Sequence, residues 1–245
     1  FLLVLARVSA AIVAMPLFGA RSVPAQAKIG LSLLLSLIVL PLHRQAAPDV
    51  PVDLFRFASA AGSEVLVGLC FGILAGLVVH ALQMGASLVG MQMGFGLGQL
   101  FDPLTGEQTE TMSQFYTLLV TLVFFAVNGH HIVIVGLLRT FEVVPAGSAN
   151  IALLAGDRFI PFVGMLFVFA FRVALPVVGA LMLTDLALGL VARTVPQMNI
   201  LVEGFPVKIA IGILMLSASL PLLTGFMASA LTSSLPEVNR LLVAP

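Results

Sequence analysis

The 245-residue chain is 60% hydrophobic and 9% charged, with a mean hydropathy of +1.16, which leaves too little polar surface to cover a water-soluble domain. Eleven basic and eleven acidic side chains cancel to a net charge of zero, so no field recruits nucleic acid or an anionic substrate. The single cysteine, Cys70, has no second thiol for a disulfide or a metal site and reads as a small buried hydrophobe.

A helix crosses a bilayer with about 20 apolar residues. Apolar stretches of about that length predict an all-α membrane protein of about six helices. They fall at about Phe1 to Phe18, Lys28 to Leu42, Glu64 to Met93, Ser113 to Thr140, Phe159 to Ala192 and Val207 to Leu231. The first run reads as a helix rather than a cleavable leader, since Pro16 and Arg21 follow it without a small-residue cleavage site. The second helix is short for a full span, and the fifth carries Pro176, where a lost N–H and a steric clash predict a kink. Breakers place the connections at Gly19 to Pro24, Pro41 to Pro51, Gly94 to Thr111, Pro145 to Gly156 and Thr194 to Pro206, with a tail after Ser233. None is long enough for a separate soluble domain. Basic residues flank four of the connections and none lies in Gly94 to Thr111, so the positive-inside rule assigns no topology.

Gly68, Gly72 and Gly76 recur every four residues, and Gly90, Gly94 and Gly98 repeat the spacing. Small residues at that interval let helices approach closely, either within the chain or against a partner subunit. The segment from Gln92 to Gly106 is the most unusual: its glycines alternate with Phe95, Leu97 and Leu100, Phe101 follows, and Asp102-Pro103 stops any helix. Irregular backbone carrying apolar side chains at membrane depth is tolerated where it is buried in protein or lines a cavity. The segment is therefore either a dewetted constriction or an ordinary connection. Its glycine spacing lacks the preceding strand and the lysine of a phosphate-binding loop.

Arg7, His80, Arg172 and Asp185 interrupt apolar runs, where Arg or Asp costs about 2.5–3.5 kcal/mol at a helix centre on the insertion scale. Arg7, near a helix end, reads as an interhelical pair or a charge reaching the interface. Arg172 and Asp185 lie too far apart on one helix to pair, so each needs a partner elsewhere in the chain or in another chain. His130 and His131 have no Cys or carboxylate beside them, and no nucleophile elbow or HExxH motif is present. Nothing points to an enzyme, a cofactor or a metal. Arg172, Asp185 and the interrupted fifth helix also suit a small-solute secondary transporter, and the packing glycines suit a structural scaffold that nucleates a membrane complex.

Several segments together carry a resemblance. They are Pro16 to Pro24 leading into Lys28-Ile29-Gly30, Gln92-Met93-Gly94 through Phe101-Asp102-Pro103, Asn128-Gly129-His130, Ala192 to Asn199, and Gly204-Phe205-Pro206-Val207-Lys208. In these, and over nearly its whole length, the chain resembles the FliR family of flagellar protein-export gate subunits. It is more distantly similar to the corresponding subunit of type III secretion injectisomes. The resemblance implies a subunit of a bacterial inner-membrane gate at the flagellar basal body, assembled with FliP and FliQ and contacted by FlhB and FlhA. Unfolded flagellar proteins would leave the cytoplasm through that gate. It also implies an N-terminal part (1–155) similar to FliP and a C-terminal hairpin (156–245) similar to FliQ. The hairpin turn would hold Arg193, Pro196, Gln197 and Asn199, with Phe205, Pro206 and Lys208 following, and Arg193 and Lys208 near the entrance. The loop 94–111 would be a plug, with Phe95, Leu97, Leu100 and Phe101 sealing the pore and Asp102-Pro103 ending the segment. Some relatives have Phe where this chain has Leu97 and Leu100.

Overall fold

The computed structural model describes residues 1–20, 23–42, 53–95, 108–147, 159–195 and 200–241. Among these residues lie seven α-helices: α1 (Leu2–Ala14), α2 (Ala25–Leu42), α3 (Leu54–Gln92), α4 (Gln108–Ala126), α5 (Gly129–Val143), α6 (Phe159–Thr194) and α7 (Ile200–Leu241). The protein is an all-α membrane protein. A helix pairs its backbone groups within one segment, which is what a bilayer demands of a chain this apolar. Hydroxyls follow the same logic: Ser32, Ser36, Thr121, Thr184 and Ser217 each donate to the carbonyl four residues back.

Local chemistry sets the breaks. Helix α1 stops at Ala14 because Pro16 drives the residue before it into extended backbone, and Met15 has φ −72° and ψ 131°. The single helix expected from Ser113 to Thr140 is two, α4 and α5. The break falls at Asn128, which takes φ 55°, a left-handed conformation that asparagine tolerates better than most residues. Two helices clearly outrun their expected limits, α7 at both ends. Helix α3 starts ten residues before Glu64, α7 resumes at Ile200 and carries Phe205, Pro206 and Lys208 inside it, and the stretch after Ser233 continues helical to Leu241. These extensions carry Gly62, Gly204, Pro206 and Pro236, so a search for apolar runs bounded by breakers passes over them. Helix α6 stays one element through Pro176, whose missing N–H leaves the carbonyl of Arg172, four residues back, without its usual helical donor.

Among the described residues three helices are long and apolar enough to cross a bilayer: Leu54–Gln92, Ile160–Thr194 and Glu203–Val238. The pair Thr117–Ala126 and Gly129–Val143 makes a fourth if it is counted as one broken span. Only 28% and 17% of the most apolar windows of the last two helices is buried within the chain, against 56% for α3. Helices α6 and α7 thus turn most of their apolar surface outward.

The chain divides into two compact units. The first holds Phe1–Val79, Asn128–Met165 and Ser229–Pro245, with Val8, Phe71, Phe141 and Leu231 in its core. Within it α1 packs on α2, and Lys28 Nζ donates to the carbonyls of Gly19 and Ala20, both at 2.9 Å, closing the turn that follows Pro16. The second holds His80–Val127 and Leu166–Ala228, with Leu82, Met93, Phe124, Leu181 and Met227 in its core.

Candidate functional site

The first unit is built around a sealed ion pair. Arg7 and Glu64 have no exposed side-chain surface, and Arg7 Nε donates to Glu64 Oε2 at 2.6 Å. Arg7 Nη1 also donates to the carbonyls of Thr140 (3.0 Å) and Val144 (2.8 Å), at the C-terminal end of α5. A helix leaves its last carbonyls without donors and carries partial negative charge there, so a guanidinium satisfies both. The cation stacks on Phe141, 4.3 Å from the ring centroid, and Glu64 Oε1 accepts the N–H of Gly147 at 2.7 Å. Arg7 therefore forms an interhelical pair and does not reach an interface.

The Gly68, Gly72 and Gly76 face supports this arrangement. A Cβ at Gly68 would overlap the carbonyl of Arg7, one at Gly72 would lie 2.5 Å from the carbonyl of Ala11, and one at Gly76 would strike the ring of Pro16. These glycines pack within the chain, against α1 and the residues after it. Gly90 is buried on α3.

The second unit anchors the glycine-rich segment. Gln92 ends α3, and Gly94 takes φ 95°, which only glycine adopts freely. A Cβ on Gly94 would collide with the ring of Phe205, and the side chain of Met93 lies over Gly212. Both partners are on α7. Gln92 Nε2 donates to Asp185 Oδ2 on α6 at 2.9 Å, while Asp185 Oδ1 pairs with Lys208 Nζ on α7. Asp185 lies nine residues before Thr194 and Lys208 eight residues after Ile200, so each sits about 12–14 Å along its helix from the end of α6 or the start of α7. Phe95 is partly buried and is the last described residue before the segment continues.

The structure thus brings together Gly94, Asp185, Phe205 and Lys208 from the sequence-derived candidates, and adds Gln92, Met93 and Gly212. Asp185 finds its partners within the chain, and Lys208 holds it as an ion-pair partner. Arg193 and Pro206 are exposed. Leu97, Leu100, Phe101, Asp102, Pro103, Pro196, Gln197 and Asn199 lie outside the described residues. Arg172 is exposed on α6 beside Val168, Phe171 and Leu175, and has no hydrogen-bond or ion-pair partner among the described residues. Gly164 and Gly179 of the same helix have nothing within 4 Å of where a Cβ would sit. Sequence reasoning missed Glu64 and Gln92 as partners. The available signal was that Glu64 is the acidic residue opening a long uncharged run and Gln92 the amide closing it.

Long apolar helices with outward-facing surface, two of which hold the first residues of a glycine-rich segment, define an integral membrane protein. The chain belongs to the bacterial export proteins, family 1, whose pattern it matches over residues 1–234. It is 38% identical over 220 residues to the flagellar biosynthetic protein FliR of Bacillus subtilis, covering 88% of this chain and 84% of that protein. It is 32% identical over 210 residues to FliR of Aquifex aeolicus (85% and 80%), and 31% over 222 residues to FliR of Escherichia coli (91% and 84%). These relationships make it a membrane component of flagellar protein export.

Proposed function

We propose that the chain is a non-enzymatic subunit of an inner-membrane export gate at the flagellar basal body, assembled with FliP-like and FliQ-like subunits and contacted by FlhB and FlhA. Its segment 94–111 closes the pore. Phe95, Leu97, Leu100 and Phe101 supply an apolar constriction that excludes ions and yields to an unfolded chain. The observation that carries this reading is the mooring of Gln92, Met93 and Gly94 on α6 and α7: a glycine-rich apolar segment is pinned where it leaves its helix. A free connection would need no such anchor.

Two further observations support the assembly. Helices α6 and α7 carry exposed Phe167, Phe171, Leu183, Leu186, Ile213 and Leu214, a surface suited to sister subunits as well as to lipid. Gly164 and Gly179 on α6 have open space where a Cβ would be, and a helix gains from such glycines when another backbone comes close. The solute-transporter reading leaned on Arg172, Asp185 and the interrupted fifth helix, and of these Asp185 is engaged by Lys208 and Gln92.

The test is to place the tagged chain in a flagellated host lacking its own copy. Recovery in one detergent-stable complex with FliP-like and FliQ-like subunits, together with restored export of flagellar proteins, is the expected result. A chain that purifies alone and leaves export unrestored overturns the proposal.

A further inference from the structure

We infer that the outward face of α6 receives one apolar helix of a different subunit, and that a carboxylate on that helix pairs with Arg172 and sets the register of the contact. The inference rests on the reading of the chain as an assembly subunit and names the chemistry of one partner.

Val168, Arg172, Leu175, Gly179, Met182 and Leu186 follow one another along α6 at steps of four, three, four, three and four residues. At about 100° per residue they stay within about 40° of a single line down the helix. The opposite side carries the buried Leu166, Val173, Val177 and Leu181. Spacing of this kind is the seam of two helices crossing at about 20°, where each side chain enters a hole on its neighbour. Any outward helix face contains such a line, so the content of this one decides its use. It holds a charge and, two turns further on, a glycine with nothing within 4 Å of where its Cβ would sit.

Arg172 is the only charged residue from Ile160 to Thr184, with twelve uncharged residues on each side, or about 18 Å of helix in either direction. In a hydrocarbon core about 30 Å thick, the middle of that stretch lies deep. Long basic side chains escape to the interface from helix ends, whereas a charge this far from both ends is met inside the membrane by a polar partner. Acyl chains offer the guanidinium nothing, and no described residue of this chain pairs with it. A carboxylate on a facing helix supplies the missing anion.

A second copy of the chain would not bring that anion. The two carboxylates deepest in its spanning helices are already taken, Glu64 by Arg7 and Asp185 by Lys208. The partner is therefore a different subunit with Asp or Glu inside an apolar helix. One polar residue on an otherwise apolar seam fixes register, because every shifted register strands it against hydrocarbon. At Gly179 the partner's backbone has room to come close.

The experiment places the tagged full chain in a flagellated host lacking its own copy and measures both its level in the membrane and the sister subunits recovered with it. Arg172→Lys keeps the charge and should be recovered with them as wild type is. Arg172→Leu strands the partner's carboxylate, so recovery should fall several-fold at an unchanged chain level. Arg172→Glu sets two carboxylates against each other and should fall further, and selection for restored export should return Lys or Arg in place of an acidic residue within a span of one sister subunit. A photoreactive benzoylphenylalanine at Leu175 or Met182 should join the chain to that same subunit.

Equal recovery of all three variants, or lipid as the adduct from Leu175 and Met182, overturns the inference, while the export-gate reading stands as long as the wild-type chain is recovered with its sister subunits. If the wild-type chain itself comes alone, that reading fails and this one fails with it. Should Arg172→Glu not accumulate, the other two variants decide: a loss confined to Arg172→Leu supports the pairing, and equal recovery of Arg172→Leu and Arg172→Lys overturns it.

Discussion

Glu64→Ala strikes the joint of the first unit at two places. The substitution strips the buried Arg7 guanidinium of its only anionic partner among the described residues, leaving two backbone carbonyls and a ring face to hold a full positive charge. It also takes away the acceptor of the Gly147 N–H. Removing one partner of a buried pair costs about 3–5 kcal/mol, because the remaining charge has left water without compensation. At about 2–4 °C per kcal/mol for a chain of this size, the midpoint of thermal unfolding should fall by about 6–20 °C. The chain has no tryptophan, so far-UV circular dichroism of the purified protein is the suitable readout. Arg7→Met combined with Glu64→Leu removes both charges at similar volume and should recover most of the loss. The reasoning is refuted if Glu64→Ala costs under about 1 kcal/mol, or if the double variant is no more stable than Glu64→Ala alone.

Gly68→Val and Gly72→Val drive a side chain into the backbone carbonyls of Arg7 and Ala11, so each should cost about 1–3 kcal/mol or more and lower the amount of chain in the membrane. Gly30→Ala, at a position open on all sides, should leave that amount unchanged. Asn128→Gly should be close to neutral, whereas Asn128→Val, a β-branched residue at φ 55°, should destabilise by about 1–2 kcal/mol in the same unfolding assay. Gly179→Leu and Arg172→Leu alter outward positions of α6, so the chain should accumulate normally while recovery with sister subunits falls several-fold. Normal recovery of both variants would remove α6 from the list of assembly surfaces.

Composition and the spacing of apolar runs made the all-helical membrane class legible, together with most of the breaks. The first apolar run was expected to stay helical to Phe18, whereas Pro16 ends α1 at Ala14 by a rule that acts on the residue beside it. Other features depended on partners far away in sequence. Arg7 meets Glu64 across 57 positions and the carbonyl of Val144 across 137, and no local pattern encodes such a pairing. Asn128 reads as an ordinary polar interruption until its backbone conformation is known, which is why one long helix was expected where two occur. Lys208 was expected near the entrance, beside the hairpin turn. Its place along the helix follows from α7 starting at Ile200 rather than Val207, and there it pairs with Asp185. The glycine-rich segment was conspicuous from its composition, but composition says nothing of where a segment is moored. Gln92, Met93, Phe205 and Gly212 come together only through packing.

The most direct measurement is the ion conductance of the assembled complex, intact and with Phe95 through Phe101 replaced by Gly and Ser. An apolar seal in that segment predicts a tight intact complex and a large rise in leak on replacement, with assembly unchanged. Equal conductance in the two complexes would contradict it.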